Sequence, residues 1–296
     1  MFKNLDAKAL GLSPTQSETI ELALSFGFRS IDLDLVEFSG EVASLGLPKA
    51  RRLLDSAKLK IGTFALPIDW QRSGDFKGEL AKLDEFAPLA TSVGARRAVT
   101  VIEPASDERP YHENFAYYGE RLSELAKALE RHGMKLGVGF ESAASARQGK
   151  SFEFVHDLDA LIVLLSTVGA ANVGLWLDVW QVWASGASLD EARGKLKRGQ
   201  IVAVSLSDAA DEEAADRHDP ASRRLPGETG LIDCAAVLTS LIELGYDGPV
   251  TPVPGRAQIA AMRRDQLVKL AGAQLEIAWK AAGLGPAPKL AATASR

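Results

Sequence analysis

Runs of β-forming residues alternate with amphipathic helical stretches along the whole chain, and this alternation limits the possible folds more than any other feature. The extended runs are Ala9–Leu12 (the weakest), Ile31–Leu35, Leu59–Leu66, Ala98–Glu103, Lys135–Glu141, Val173–Asp178, Ile201–Leu206 and Pro249–Val253, eight in all. Helical signals fill the gaps. Ser13-Pro14-Thr15-Gln16 combines an N-cap serine, a first-turn proline and a capping-box glutamine. Phe115, Tyr118, Leu122, Leu125 and Leu129 recur at the three-and-four spacing of one helix face. Leu158, Leu161, Leu165 and Val168 stop at Gly169, and Val237, Leu241 and Leu244 stop at Gly245. A last helix carries Met262, Leu267 and Leu270, and Pro88 is expected to break or kink the helix that contains it. Strands alternating with helices at this spacing imply a parallel sheet covered by helices. Eight units in one uninterrupted series, with no Pro/Gly/Ser linker, predict an α/β fold: a (β/α)8 TIM barrel over residues 1–283, followed by a frayed tail at 284–296.

Composition excludes several functions. No apolar run reaches the length of about 18 residues that a membrane span requires, and Met1–Asp6 lacks the basic and apolar regions of a secretory signal. A cytoplasmic protein is expected. The single Cys234 allows neither an internal disulfide nor a thiolate metal cluster. With net charge −5 and no basic tract, a nucleic-acid backbone is not an expected partner.

The connections are unequal. Helix-to-strand links are short, whereas Pro67–Asp75, Pro104–His112, Ser142–Phe154, Val179–Ser188 and Asp208–Gly230 are long and follow strands, where barrel active sites lie. Acids mark those strand ends: Asp32, Asp34, Glu103, Glu141, Asp178 and Asp208. Acids there also cap helices, and for Asp208 the two roles balance. Trp70, Trp180 and Trp183 are expected on the same rim, with Trp176 lower in its strand. Aromatic faces that pack on C–H surfaces, beside carboxylates that accept hydroxyl hydrogens, suit a small polyhydroxylated ligand.

Three strings resemble the xylose isomerase-like sugar phosphate isomerase/epimerase superfamily: Asn172–Asp178, Ile201–Ala209, and Arg224-Leu225-Pro226-Gly227-Glu228 continuing through Asp233 to Leu244–Val250. The resemblance implies the same barrel over about residues 8–280. It also implies a divalent metal held by Glu, Asp, His and Glu at the ends of the fifth to eighth strands. Matched position by position, those ligands fall on Gly139, Asp178, Ser205 and Val253, so Asp178 alone is retained. A further histidine position holds Gln181. No cofactor is therefore expected, although Mn, Mg, Zn or Co in a relocated site stays open. Glu141 shares the inward parity of Gly137 and Gly139 and stands about 6.6 Å above the family position, at about 3.3 Å per residue. It is a candidate to join Asp178, Glu103 or His218 in a rebuilt site. The Trp176 indole either fills the space left by the glycines or is barrel core.

Glu141, Asp178 and Glu103 are thus the expected proton-transfer groups of a sugar isomerase/epimerase-like enzyme of carbohydrate metabolism. Asp34, Trp70, Arg147, Trp180, Gln181, Trp183, Ser205, His218 and Arg256 are expected to bind substrate. Lys150, Arg223 and Arg224 are weaker candidates for an anion. The expected partner is a small carbohydrate-like molecule, and a homo-oligomer is compatible. The alternative is a barrel that binds a carbohydrate or a protein without turnover.

Overall fold

The structure, a computed structural model, describes residues 1–187, 194–196, 198–210 and 219–285. In chain order its strands are β1 (Phe2–Leu5), β2 (Ser30–Ile31), β3 (Lys60–Ile61), β4 (Phe64–Ala65), β5 (Arg97–Val101), β6 (Ala105–Ser106), β7 (Lys135–Gly139), β8 (Phe152–Glu153), β9 (Val173–Asp178), β10 (Ile201–Leu206) and β11 (Pro249–Pro252). Nine of them form one curled parallel sheet in the order β3-β2-β1-β11-β10-β9-β7-β5-β4. The two outermost strands, β3 and β4, are pieces of one run separated by Gly62 and Thr63. The short antiparallel pair β6–β8 ties together the segments that follow β5 and β7.

The first strand differs from expectation. Phe2–Leu5 pairs in parallel with β2 and β11, whereas residues 7–11 form turns, so Ala9–Leu12 is not a strand. Gly11, at φ +66°, turns the chain there. The first helix, Gln16–Ser25, is capped by Thr15 rather than Ser13. Thr15 Oγ1 accepts from Glu18 N at 3.4 Å, and Thr15 N donates to Glu18 Oε2 at 2.9 Å, a reciprocal capping box. Pro88 does not break its helix, which runs from Phe76 to Ser92 and buries Leu83, Ala87 and Ala90. Tertiary packing of that face outweighs the one backbone bond that proline removes.

Elsewhere the periodicity holds. Helix Tyr111–Glu130 buries Tyr118, Leu122, Leu125 and Leu129, and helix Leu158–Val168 starts at the Asp157 cap and ends at Gly169 in the left-handed conformation. One buried apolar cluster extends from Leu5 to Trp279 and joins strands to helices along the chain. The segment after β9 is not a long loop. Asp178 caps a helix, Val179–Ala184, which starts at once. Leu284 and Gly285 follow the last long helix, Arg264–Ala281.

Candidate functional site

The cavity opens after the strands, as expected, but beside β1, β2, β4 and β5. It measures about 620 Å³ and is lined by Asp6, Asp32, Asp34, Thr63, Trp70 and Trp176, among others. Its floor is a polar network built from four neighbouring strands. Asn4, fully buried in β1, donates from Nδ2 to Asp32 Oδ1 and to Thr251 Oγ1, both at 2.9 Å, and accepts from Ser30 Oγ at 2.7 Å. Thr63 N donates to Asp32 Oδ1 at 2.7 Å. Gly62 is required here, because a β-carbon would stand 2.3 Å from Asn4 Oδ1 and 2.7 Å from Asp32 Oδ1. The gap between β3 and β4 thus makes room for the carboxyl that follows β2.

Asp6 and Asp32 are the chemically distinctive pair. Each keeps part of its surface open to the cavity, yet protein atoms surround both. Burial pushes the Asp32 carboxyl up to about 8, the neighbouring Asp6 charge adds to this, and bonds from Asn4 and Thr63 act against it. Asp6 is raised as well, again by burial; the N–H groups of Ala9 and Lys8 and the Lys8 charge pull it back. Desolvation combined with like-charge repulsion makes such a pair titrate as a unit, with one proton held at neutral pH. Asp34 is opposite in character: burial raises it, but the Lys8 ammonium at 2.6 Å and the Glu37 N–H outweigh this and leave it lowered. Asp34 also caps the helix Leu35–Leu45.

Two tryptophans wall the cavity. Trp70 is 2% exposed, donates from Nε1 to Thr100 Oγ1 at 2.9 Å and meets Tyr118 edge-on at 5.4 Å. Trp176 donates from Nε1 to Ser205 Oγ at 3.0 Å. Its Cε3 lies 3.5 Å from where a Gly139 β-carbon would stand, so the indole occupies space that Gly139 leaves. Gly137 faces Val202 and Val99 instead. Trp176 is therefore not core alone, because it also faces the cavity.

The remaining expected site residues lie outside the cavity lining. Asp178 accepts from Trp180 N and Gln181 N, and its Oδ2 is paired with Arg223 Nη1 at 2.7 Å. The Arg223 guanidinium lies 4.6 Å over the Trp180 ring. Trp180 is 1% exposed, not on the rim, because the helix capped by Asp178 turns it inward; Trp183 packs half-buried against the core. Gln181 Oε1 accepts from Ser142 N and Ser142 Oγ at 2.8 and 2.7 Å, which braces the neighbouring loop. Arg147 donates to the Ser142 carbonyl, Lys150 pairs with Asp107, and Glu103 pairs with Arg72. Glu141 is half-buried and Arg256 is exposed. His218 lies outside the described residues.

The four family ligand positions do not fit a divalent cation. Gly139 and Val253 carry no side-chain donor, the Ser205 hydroxyl accepts the Trp176 proton, and Asp178 is held by a guanidinium. Among the described residues, no group of three or more His, Cys, Asp or Glu is placed to hold a metal ion.

Asp208 proves to be a loop clasp, not a helix cap. Its oxygens accept from the backbone N–H groups of Ala209, Thr229, Gly230 and Ile232 at 2.7–2.9 Å. Burial raises its carboxyl, but these donors outweigh it and leave it lowered. The Arg224–Gly230 string is therefore a folded loop whose Glu228 also accepts from Gln258. Asp6 and Asn4 carry no sequence signal as long as the first strand is expected at Ala9–Leu12, and Thr63 takes part through its backbone N–H, which residue type does not reveal. With β1 at Phe2–Leu5, Asp6 directly follows its strand, much as Asp32 follows β2.

Solved structures with the same fold include a xylose isomerase domain protein from Alicyclobacillus acidocaldarius, with TM-score 0.85 and 23% identity, covering 96% of this chain and 99% of that one. An IOLI protein with a bound zinc atom matches at TM-score 0.78 and 17% identity, covering 95% and 99%. D-psicose 3-epimerase, crystallised with D-fructose, matches at TM-score 0.74 and 14% identity, covering 96% and 100%. At such identities the likeness is one of fold. No curated protein matches the sequence significantly. No helix among the described residues is long and apolar enough to cross a membrane. The model of the xylose isomerase-like TIM barrel matches residues 20–267, most of the chain, and the protein belongs to that family.

Proposed function

We propose that the protein is a sugar isomerase/epimerase-like enzyme that works on a small polyhydroxylated ligand in the Asp6–Asp32 cavity, without the family's usual divalent metal. The observation that carries this reading is the paired carboxyl groups, one holding its proton to about pH 8, in a cavity walled by two tryptophans. Such a pair supplies an acid and a base together at neutral pH. Protonated Asp32 donates to the carbonyl oxygen of the ligand as the Asp6 carboxylate takes a proton from the adjacent carbon, giving an enediol. Return of the proton from Asp6 to the former carbonyl carbon, as Asp32 takes the proton of the neighbouring hydroxyl, restores both carboxyls and leaves the isomerised product. Trp70 and Trp176 pack on the C–H faces and restrict water. Counted as one strand bent at Gly62-Thr63, the run Lys60–Ala65 gives this barrel eight strands, with the cavity over the first four.

The test is turnover of unphosphorylated ketoses and aldoses by purified protein and by Asp32→Asn. Loss of a proton-transferring group lowers rates by about 10²–10⁴-fold. The same assay on Glu141→Gln and Glu103→Gln tests the other placement of the chemistry: loss of turnover there, with Asp32→Asn active, overturns the Asp6–Asp32 assignment. Stoichiometric Mn, Mg, Zn or Co in protein purified without added metal overturns metal independence.

A second reading, a barrel that binds its ligand without turnover, is favoured by the pairing of Asp178 with Arg223 and of Ser205 with Trp176 at the family's metal positions. Thermal stabilisation by a sugar with no turnover of any sugar tested selects it.

A further inference from the structure

The charges around the cavity are one-sided. Among the described residues, six carboxylic side chains line it (Asp6, Asp32, Asp34, Glu37, Glu41 and Asp69), and Lys8 is the one basic residue in the lining. Lys8 is committed to Asp34 at 2.6 Å, with 71% of its side chain exposed. Among the described residues, several cations of the strand-end loops pair outside the cavity. Arg223 is held by Asp178, Arg147 by the Ser142 carbonyl, Lys150 by Asp107 and Arg72 by Glu103. An anionic ligand entering this cavity meets like charge in a partly desolvated setting, where repulsion is strongest.

We infer that the cavity takes a polyol carrying a positive charge, of the amino-sugar or aminocyclitol class, and turns away phosphorylated sugars. This rests on the proposed use of the same cavity for a polyhydroxylated ligand, and narrows it to a charge class. An ammonium group on the ligand supplies the countercharge that this side of the barrel lacks, near Asp6 and Asp32. The Trp176 ring, half-buried at the cavity, offers a further surface suited to a cation.

Salt dependence gives the inference a second readout. Burial, with the Asp6 charge second, holds the proton on Asp32, and the ammonium is met by the Asp6 carboxylate and the outer acids of the lining, so the proton used in the proposed transfer stays in place. The titratable and charged groups facing Asp32 are Asp6 and Lys8 from the segment after β1, and Asp34, Glu37 and Glu41 from its own connection and helix. Asp69 after β4 and the Tyr246 phenol ahead of β11 complete the set. Apart from Lys8, these described groups are all acids or a phenol.

Calorimetric titration of the full chain with D-glucosamine, D-glucose and D-glucose 6-phosphate, near pH 7 and at low salt, tests this. The expected order is glucosamine tighter than glucose by about tenfold or more, with glucose 6-phosphate weaker than glucose. Added salt weakens glucosamine and spares glucose. The double variant Glu37→Gln/Glu41→Gln narrows the gap between glucosamine and glucose. Glucose binding within twofold of glucosamine, with Asp32→Asn still abolishing turnover, overturns the charge inference and leaves the proposed function standing. Glucose 6-phosphate binding more tightly than glucose overturns it as well. If none of the three binds, both readings fall.

Discussion

The two sides of the strand-end face use carboxylates in opposite ways. Beside β9 and β10, Asp178 meets a guanidinium and two helix N–H groups, Ser205 meets an indole N–H, and the polar groups are paired among themselves. Beside β1 and β2, Asp6 and Asp32 stand close together over a cavity, and burial has raised both. One arrangement favours stability and the other leaves charge uncompensated, which is where a ligand can gain the most. The family's metal positions lie on the first side. The cavity lies on the second, and Trp176 separates them, with its N–H bonded to one and its ring facing the other.

The comparison breaks most directly at Arg223. Arg223→Met leaves the Asp178 carboxylate buried without its partner, a loss of about 3–5 kcal/mol for a pair of this kind. Denaturant midpoints measure it. The double variant Asp178→Asn/Arg223→Met recovers much of the loss, because the stranded charge is gone. A change below about 1 kcal/mol in the single variant means that solvent reaches the pair and the first side is not closed.

Asp32 tests the second side through pH. Its folded value of about 8 lies above the unfolded value of 3.8, so the folded state binds the proton more tightly. That contribution to stability is complete below about pH 3.8 and is lost progressively as pH rises through 8. Relative to Asp32→Asn, which stays neutral, the native protein loses thermal stability between about pH 4 and pH 8, and the difference levels off above that. Parallel melting-temperature curves for the two proteins across that range rule out the raised carboxyl.

A smaller effect is expected where the two sides meet. Trp176→Phe keeps the ring over Gly139 but removes the donor to Ser205, costing about 1 kcal/mol and enlarging the cavity slightly. Chemical denaturation, together with ligand affinity, separates these contributions. The smallest effect is at Glu103, whose pair with Arg72 is largely exposed on the arginine side. Glu103→Gln changes stability by less than about 0.5 kcal/mol, and ligand binding in the cavity stays unchanged. A large loss of affinity places Glu103 in contact with ligand.

Much of the scaffold was legible in one dimension because its signals are local. The apolar spacing at Tyr118–Leu129, the stop at Gly169, and the runs Val173–Asp178 and Ile201–Leu206 each reflect a period or a terminus that acts within one element. The first strand was hidden because Phe2–Leu5 is short and polar at Lys3 and Asn4, and it is held by pairing with β2 and β11 rather than by its own pattern. Misplacing it hid Asp6. The expected aromatic rim failed at Trp180 for a related reason: a helix starting at Val179 instead of a loop decides which way that ring points.

The sequence by itself determined the alternation of strands and helices and the acids at strand ends, because residue identity and spacing are enough for each. Only the tertiary structure decided which acids share a cavity and which are neutralised. Asp178 and Arg223 are 45 residues apart and Asn4 and Thr251 are 247 apart, so each pairing exists only when the sheet brings distant strands into register. A carboxylate's chemistry depends on its solvent and its neighbours, and the fold supplies both.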